Sequence, residues 1–308
     1  MNKQISAAPK TLSFNFLKPY LFLLPIYILM IVFKYFPFAM AFGKSFFEWN
    51  GTNVNLFIGF ANYKKAFADP SLRASVINCF WMAVSNVIIV LTIPLLAAEL
   101  LFALKSAKGQ YMIRTAFIFP MVVPIVVIIL LWKWILAGDN GVFNTILTRI
   151  GLPQLTRPWL GSSKTALGAI IAIGFPWLGI AGLGGLQFLL YYGALQSIPK
   201  ALFESAQIDG VNTWRRFFYI DVPMLASQIR LTVTLAIIGA VQVFDKVYIL
   251  TKGGPGTATI MPSVVLYEQG FTYKKMGYSS AIGVLMFIVI LALTVVNQAV
   301  MKKTEHMD

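Results

Sequence analysis

Six apolar stretches carry no Asp, Glu, Lys or Arg: residues 19–33, 74–98, 115–132, 165–199, 231–244 and 276–301, of 15, 25, 18, 35, 14 and 26 residues. A bilayer core of about 30 Å needs roughly 20 helical residues, and only helices or closed barrels satisfy every backbone group in lipid. The two short stretches are completed by charges that can snorkel to the headgroups: Lys18 and Lys34 bracket the first, and Arg230 precedes the fifth. The pattern predicts an all-α membrane protein with helices near 18–38, 76–103, 112–136, 167–193, 224–250 and 278–301. An even number of crossings places the tails, 1–17 and 302–308, on one side. With 58% hydrophobic and 12% charged residues, against about 25% charged in soluble domains, a soluble enzyme is excluded.

The net charge of +14 does not point to nucleic acid, because the basic residues are spread over the loops in runs of two at most. They suit polar connections beside anionic lipid. Cys79 is the only cysteine and His306 the only histidine, so neither a disulfide framework nor a histidine-based metal site or catalytic triad can be assembled. No catalytic residue and no metal ligand is expected. Trp132 and Trp134 flank Lys133 as an interfacial belt would. Pro94, Pro120, Pro124 and Pro176 fall inside spans, where they allow kinks or unwound backbone. Residues 1–34 also have the look of a cleavable leader, with Lys3, Lys10 and a later Ala39-Met40-Ala41, although Pro25 and Lys34 argue for a retained helix. Twelve Lys/Arg fall on the side of the termini and 13 on the other, so charge alone leaves the orientation open.

The connection 197–223 is the most informative loop. Ser197 can cap, Ile198 can staple, and Pro199 and Lys200 open a helix with Leu202, Phe203 and Ala206 on one face. Gly210 ends it, and Asn212 or Thr213 restarts a second amphipathic helix, with Trp214, Phe217 and Phe218 on one side and Arg215 and Arg216 on the other. Pro223 marks the start of helix 5. The product is a helix–turn–helix elbow, which physics alone equally allows as a connector lying on the headgroups.

Polar groups at mid-span are costly in lipid and are candidates for a solute pathway. These are Gln242 and Asp245 on helix 5, three apart and so expected on one face, and Gln187 on helix 4. Phe244 and Trp177 offer faces on which a sugar ring can stack. For Gln187 the alternative is an interhelical hydrogen bond, for Trp177 plain packing, and for Asp245 pairing with a cation on a partner. Asn86 with Ser85, and Asn297 with Gln298, fit helix–helix hydrogen bonds better than a pathway.

The spacing Glu204-Ser205-Ala206, three residues, Gly210, nine residues, Ile220, two residues, Pro223 resembles the "EAA" loop of ABC importer permeases. The likeness extends along the chain. Tyr20-Leu21-Phe22-Leu23-Leu24-Pro25, Phe57-Ile58-Gly59-Phe60-Ala61-Asn62-Tyr63 and Arg114-Thr115-Ala116-Phe117-Ile118-Phe119-Pro120 are similar to the carbohydrate subfamily. So are Ala194-Leu195-Gln196-Ser197-Ile198-Pro199, Gln242-Val243-Phe244-Asp245-Lys246-Val247-Tyr248 and Thr251-Lys252-Gly253-Gly254-Pro255-Gly256. The subunit most resembled is the maltose-permease-like one of the two unlike permeases in such importers. Ser205 stands where the family usually has alanine, and Asp221-Val222 where it has Thr-Leu.

The resemblance implies a type I importer permease fold with six transmembrane helices and cytoplasmic termini, in the cell membrane of a prokaryote. It implies a second, non-identical permease, two ATPase subunits docking on 197–223, and an extracytoplasmic sugar-binding protein. ATP and Mg would be bound by the ATPase, with no cofactor in this chain, and no Gly-x-x-x-x-Gly-Lys-[Ser/Thr] phosphate loop occurs in it. The coupling residues implied are Glu204, Ser205, Ala206, Asp209, Gly210, Ile220 and Pro223: Glu204 and Asp209 for polar contacts, Ala206 for close approach, Gly210 for the bend. The cargo implied is a sugar or oligosaccharide. A glycerol phosphate or another polyol-like solute is the alternative, and a stand-alone secondary transporter is a further one, for which Asp245 alone among mid-span groups would serve.

Overall fold

The computed structural model describes residues 14–173 and 185–305. Helix α1 (Phe14–Met30) passes through a π-helical turn, Ile31–Tyr35, into α2 (Phe36–Lys44). Pro37, which supplies no N–H, follows that turn and accounts for its widening. A two-stranded hairpin, β1 (Phe47–Trp49) and β2 (Asn55–Phe57), leads to α3 (Ala61–Ala68) and the long α4 (Pro70–Ala103). Then come α5 (Ala107–Ile118), α6 (Ile125–Ile135), α7 (Val142–Arg149), α8 (Ala166–Ala172) and α9 (Gly185–Ser197). The elbow comprises α10 (Lys200–Ile208) and α11 (Thr213–Arg216), followed by a π-helical turn, Phe217–Asp221. The last elements are α12 (Val222–Met224), α13 (Ala226–Gln242), α14 (Asp245–Thr251), α15 (Pro262–Tyr267) and α16 (Met276–Glu305).

Among the described residues, Tyr20–Lys44, Pro70–Ala103 and Met276–Ala299 are long and apolar enough to cross a bilayer. A fourth results if Thr213–Met224 and Ala226–Gln242, bent by 71°, form one span. The stretch 112–136 is helical in two pieces, α5 and α6, separated by a 3-10 turn at Phe119–Val122. Pro120 and Pro124 each remove a backbone donor there. The stretch 224–250 breaks at Val243 and Phe244, where Val243 has ψ 119°. Of 167–193, α8 and α9 are seen, and residues 174–184 lie outside the described residues.

At 34 residues, α4 is the longest helix described, about 51 Å. Asp69 caps it, its carboxylate accepting the Ser71 N–H at 2.8 Å and a Tyr278 hydroxyl bond at 2.8 Å from α16. The hairpin pairs antiparallel in the register Phe47 with Phe57 and Trp49 with Asn55. It is tied to α3 by Asn62, whose buried amide donates to Ser45 O and Phe47 O, both at 2.9 Å. Gly277 lets α16 pass close by: a Cβ there would sit 2.0 Å from Phe47 O.

Two apolar clusters fill the interior. One, around Met82, Ile129, Ile170, Val247, Met261 and Ile282, joins α4, α6, α8, α14, α15 and α16. The other, around Leu95, Leu101, Phe188, Tyr191, Leu195 and Leu225, joins the far end of α4 to α9 and the elbow. Asn86 donates to Ala236 O at 3.5 Å, and Asn297 bonds Thr234 Oγ1, so both asparagines bridge helices as expected; Ser85 bonds back to Trp81 O within α4. None of residues 20–44 is buried, and Phe22 and Phe33 are 87% and 75% exposed. Only a lipid or protein partner makes such a surface stable.

Candidate functional site

The elbow is built by local rules. Pro199 stands before α10 with no side-chain cap, and the Ser197 hydroxyl turns back to Ala194 O at 2.7 Å, so Ser197 does not cap the helix as its type suggests. Gly210 adopts φ +68°, the left-handed region, and brings Val211 N within 2.9 Å of Ala206 O. Asn212 then caps α11, its Oδ1 accepting the Arg215 N–H at 2.8 Å.

Glu204, Ser205, Asp209 and Gly210 are exposed on this elbow, as is Pro223, while Ile220 is half-buried. Ala206 is buried, so its small side chain seats α10 against the chain's own core instead of facing outward. The two arms expose Ile208 (86%), Trp214 (69%) and Tyr219 (79%), and the rings of Trp214 and Phe218 stack at 6.4 Å. The expected division of α11 is corrected at three positions. Trp214 and Phe218 face outward, and Arg216 turns inward to the buried Asp221 and to Glu99. The cause is electrostatic, since buried carboxyl groups need a cation or donors of their own. Burial pushes the Asp221 carboxyl above its ordinary range, and the Arg216 guanidinium opposes that shift. Nothing in the spacing of the loop signalled this arrangement; the departure Asp221 from the family's usual threonine was the available clue.

Near the break between α13 and α14 lies a shallow cavity, open on one side, of about 270 Å³ and lined by Gln242, Phe244, Ser263, Leu266, Tyr267 and Met286. The Ser263 hydroxyl donates to Val243 O, satisfying a carbonyl that the broken helix leaves without its usual partner. Phe244 stacks on Tyr248 at 5.0 Å, and Tyr267 packs against both, each at 5.1 Å. Tyr267 continues the series to Phe271 at 5.3 Å.

Gln242 and Phe244 line the same cavity. Asp245 is exposed at the start of α14, and the break at Val243–Phe244 removes the continuous helix that would have put it on one face with Gln242. Gln187 is buried on α9 and lines neither this cavity nor the larger apolar one between α2 and α16. Trp177 lies outside the described residues. Tyr248, Ser263 and Tyr267 were missed as site residues. Tyr248 follows Phe244 by four, a spacing that stacks side chains on a helix, whereas Tyr267 and Ser263 arrive across a long Gly/Pro loop that hides the proximity.

Residues 90–306 match the family described as the binding-protein-dependent transport system inner membrane component. The chain belongs to this family. It is 35% identical over 289 residues to the probable ABC transporter permease protein YurN of Bacillus subtilis (strain 168), covering 94% of this chain and 97% of the relative. It is 29% identical to the arabinooligosaccharides transport system permease protein AraP of the same organism, covering 91% and 87%. In fold it resembles a crystal structure of a bacterial ABC transporter involved in import of the acidic polysaccharide alginate, with a TM-score of 0.81 at 22% identity, over 94% of this chain and 98% of that one. This inner membrane component is thus an ABC transporter permease of the type I importer fold, embedded in a membrane and working with a binding protein. It is a transport subunit and not an enzyme.

Proposed function

We propose that this permease carries a neutral sugar or oligosaccharide into the cytoplasm by alternating between inward- and outward-open states. The observation that carries the reading is the cavity of about 270 Å³ with Gln242, Phe244, Ser263 and Tyr267 on its wall. A sugar ring has apolar C–H faces and a rim of hydroxyls. Aromatic rings accept the faces, and an amide and hydroxyls pair with the rim. Among the described residues no charged side chain lines the cavity, which disfavours a glycerol phosphate or another anionic solute, since these call for a guanidinium or ammonium. The AraP name points to oligosaccharide cargo as well.

In this reading a second, non-identical permease covers apolar surface such as α1 and α2, and a sugar-binding protein delivers cargo from the extracytoplasmic side. Two ATPase subunits, which hold ATP and Mg, dock on 197–223 through the exposed Glu204 and Asp209. Both termini and the elbow are cytoplasmic, with the membrane domain over 18–301. Asp245, beside the cavity, either meets the solute or pairs with a cation of the second permease. ATP-dependent uptake of labelled neutral oligosaccharide into proteoliposomes of the complete importer tests the cavity. Tyr267→Ala is expected to lower uptake about 2- to 10-fold, the scale of one aromatic contact, and Tyr267→Phe, which keeps the ring and loses its hydroxyl, to lower it less. Full uptake in both Tyr267→Ala and Gln242→Leu would remove the cavity from the pathway.

A further inference from the structure

Arg216 makes contacts that docking of an ATPase on the outer face of the elbow does not require. Its Nη2 donates to Glu99 Oε2 at 3.2 Å, near the end of α4, and its Nε to Asp221 Oδ2 at 2.9 Å. The guanidinium also lies over the Phe203 ring of α10, 5.5 Å from its centroid. That ring packs at 5.4 Å against Phe102, again on α4. One side chain therefore joins the first arm, the second arm, the turn into α13 and the end of the longest helix. The cluster is enclosed: the side chain of Asp221 is fully buried and that of Glu99 is 10% exposed. Among the described residues Glu99 Oε1 and Asp221 Oδ1 are buried with no hydrogen bond of their own, and Arg216 is the cation paired with both carboxyl groups.

The chemistry of these contacts differs from that of the surrounding packing. Leu101, Leu195, Ile198 and Leu225 hold the elbow by apolar contact, which is non-directional and lets surfaces slide. A guanidinium shared between two carboxyl groups is directional and fixes both partners in a forked geometry. We propose that Glu99, Arg216 and Asp221 form a clamp that makes the elbow and the inner end of α4 move as one body, with Arg216 as the positioning residue. The inference rests on the reading of the elbow as the ATPase-docking segment and adds the route by which its motion enters the helices. Because α4 packs against α9 and α13, a movement of the clamp is passed to the helix that ends at Gln242, on the cavity wall.

The test uses the complete importer in proteoliposomes, with Cys79→Ser as background. In Phe102→Cys/Phe203→Cys, a short bifunctional thiol reagent joins α4 to α10 across the clamp. If the two move together, uptake after cross-linking stays within twofold of the same variant before it. Loss of uptake on cross-linking would mean that the elbow moves relative to α4, and would overturn the clamp. A second set removes the clamp. Arg216→Ala leaves two buried carboxyl groups without their cation and is expected to accumulate poorly. The triple variant Arg216→Met, Glu99→Gln, Asp221→Asn replaces the cluster by neutral groups and is expected to fold. Its ATP hydrolysis should stay within twofold of the parent while sugar uptake per ATP falls at least tenfold. Arg216→Lys, a point charge that cannot fork between two carboxyl groups, should show the same split. Unchanged uptake per ATP in the triple variant would refute the proposal. Docking is read separately, by cross-linking Ser205→Cys to the ATPase with the clamp intact. Failure there strikes the docking reading and not the clamp.

Discussion

Replacement of Gly210 separates the bend of the elbow from every other property of that position. The residue has φ +68°, and a Cβ added to it would meet nothing within 4 Å. Within this chain the effect of a side chain is therefore a backbone effect, free of steric collision. Holding an ordinary L-residue in the left-handed region costs about 1–2 kcal/mol, and a β-branched residue lies at or above the upper end. That energy lowers the ratio of bent to unbent elbow about 5- to 30-fold. The bend carries the contact of Val211 N with Ala206 O at 2.9 Å, so its loss lets the two arms separate and misplaces Glu204 and Asp209 for the ATPase. Uptake limited by docking should fall by up to that factor, since apparent affinity scales with the competent fraction. The assay is ATP-dependent sugar uptake per reconstituted importer, with membrane insertion checked by protein recovered in the vesicles. The expected order is glycine close to Gly210→Asn, then Gly210→Ala, then Gly210→Val, because asparagine tolerates this conformation. Wild-type uptake in Gly210→Val would refute the reasoning. Equal losses in Gly210→Asn and Gly210→Val would show that bulk at the docking face, and not φ, sets the effect.

Other expectations concern the opposite end of the molecule. Gly277→Ala places a methyl 2.0 Å from Phe47 O and must push the hairpin off α16, so the detergent-solubilised chain should lose about 1–3 kcal/mol of stability, read as a lower midpoint of thermal unfolding. Asp69→Ala removes both the cap of α4 and the acceptor of the Tyr278 hydroxyl, and a loss of about 1–2 kcal/mol is expected in the same measurement. Asn62→Ala leaves the carbonyls of Ser45 and Phe47 without the amide that tethers the hairpin, with faster proteolysis between residues 47 and 61 as the expected sign.

Membrane embedding was legible because it rests on length and polarity, which a sequence displays directly. The elbow was legible for a related reason: Pro199, Gly210 and Asn212 act through their own backbone or their nearest neighbours, and the structure uses Gly210 and Asn212 in that way. What could not be seen depends on residues far apart in the chain. Arg216 and Glu99 are 117 positions apart, and α11 alone gave no reason to turn an arginine inward. Tyr267 reaches Phe244 only because the chain doubles back after α14. The break at Val243 and Phe244 contains neither glycine nor proline, and its carbonyl finds its partner in Ser263, twenty residues on. The hairpin at 47–57 has strands of three residues each, too short for a clear alternating pattern, and its loop, residues 50–54, is organised by the Asn50 side chain, which accepts from Thr52 N and Val54 N.

The central claim is that this permease uses ATP, hydrolysed by another subunit, to move a neutral sugar that a binding protein delivers. The most direct measurement isolates the tagged chain from its native membrane in mild detergent, identifies its companions by mass spectrometry, and tests the reconstituted assembly for uptake. The account predicts a second permease and an ATPase in the complex, and oligosaccharide accumulation that requires both ATP and the binding protein. Recovery of the chain alone, with transport that continues without ATP, would contradict it.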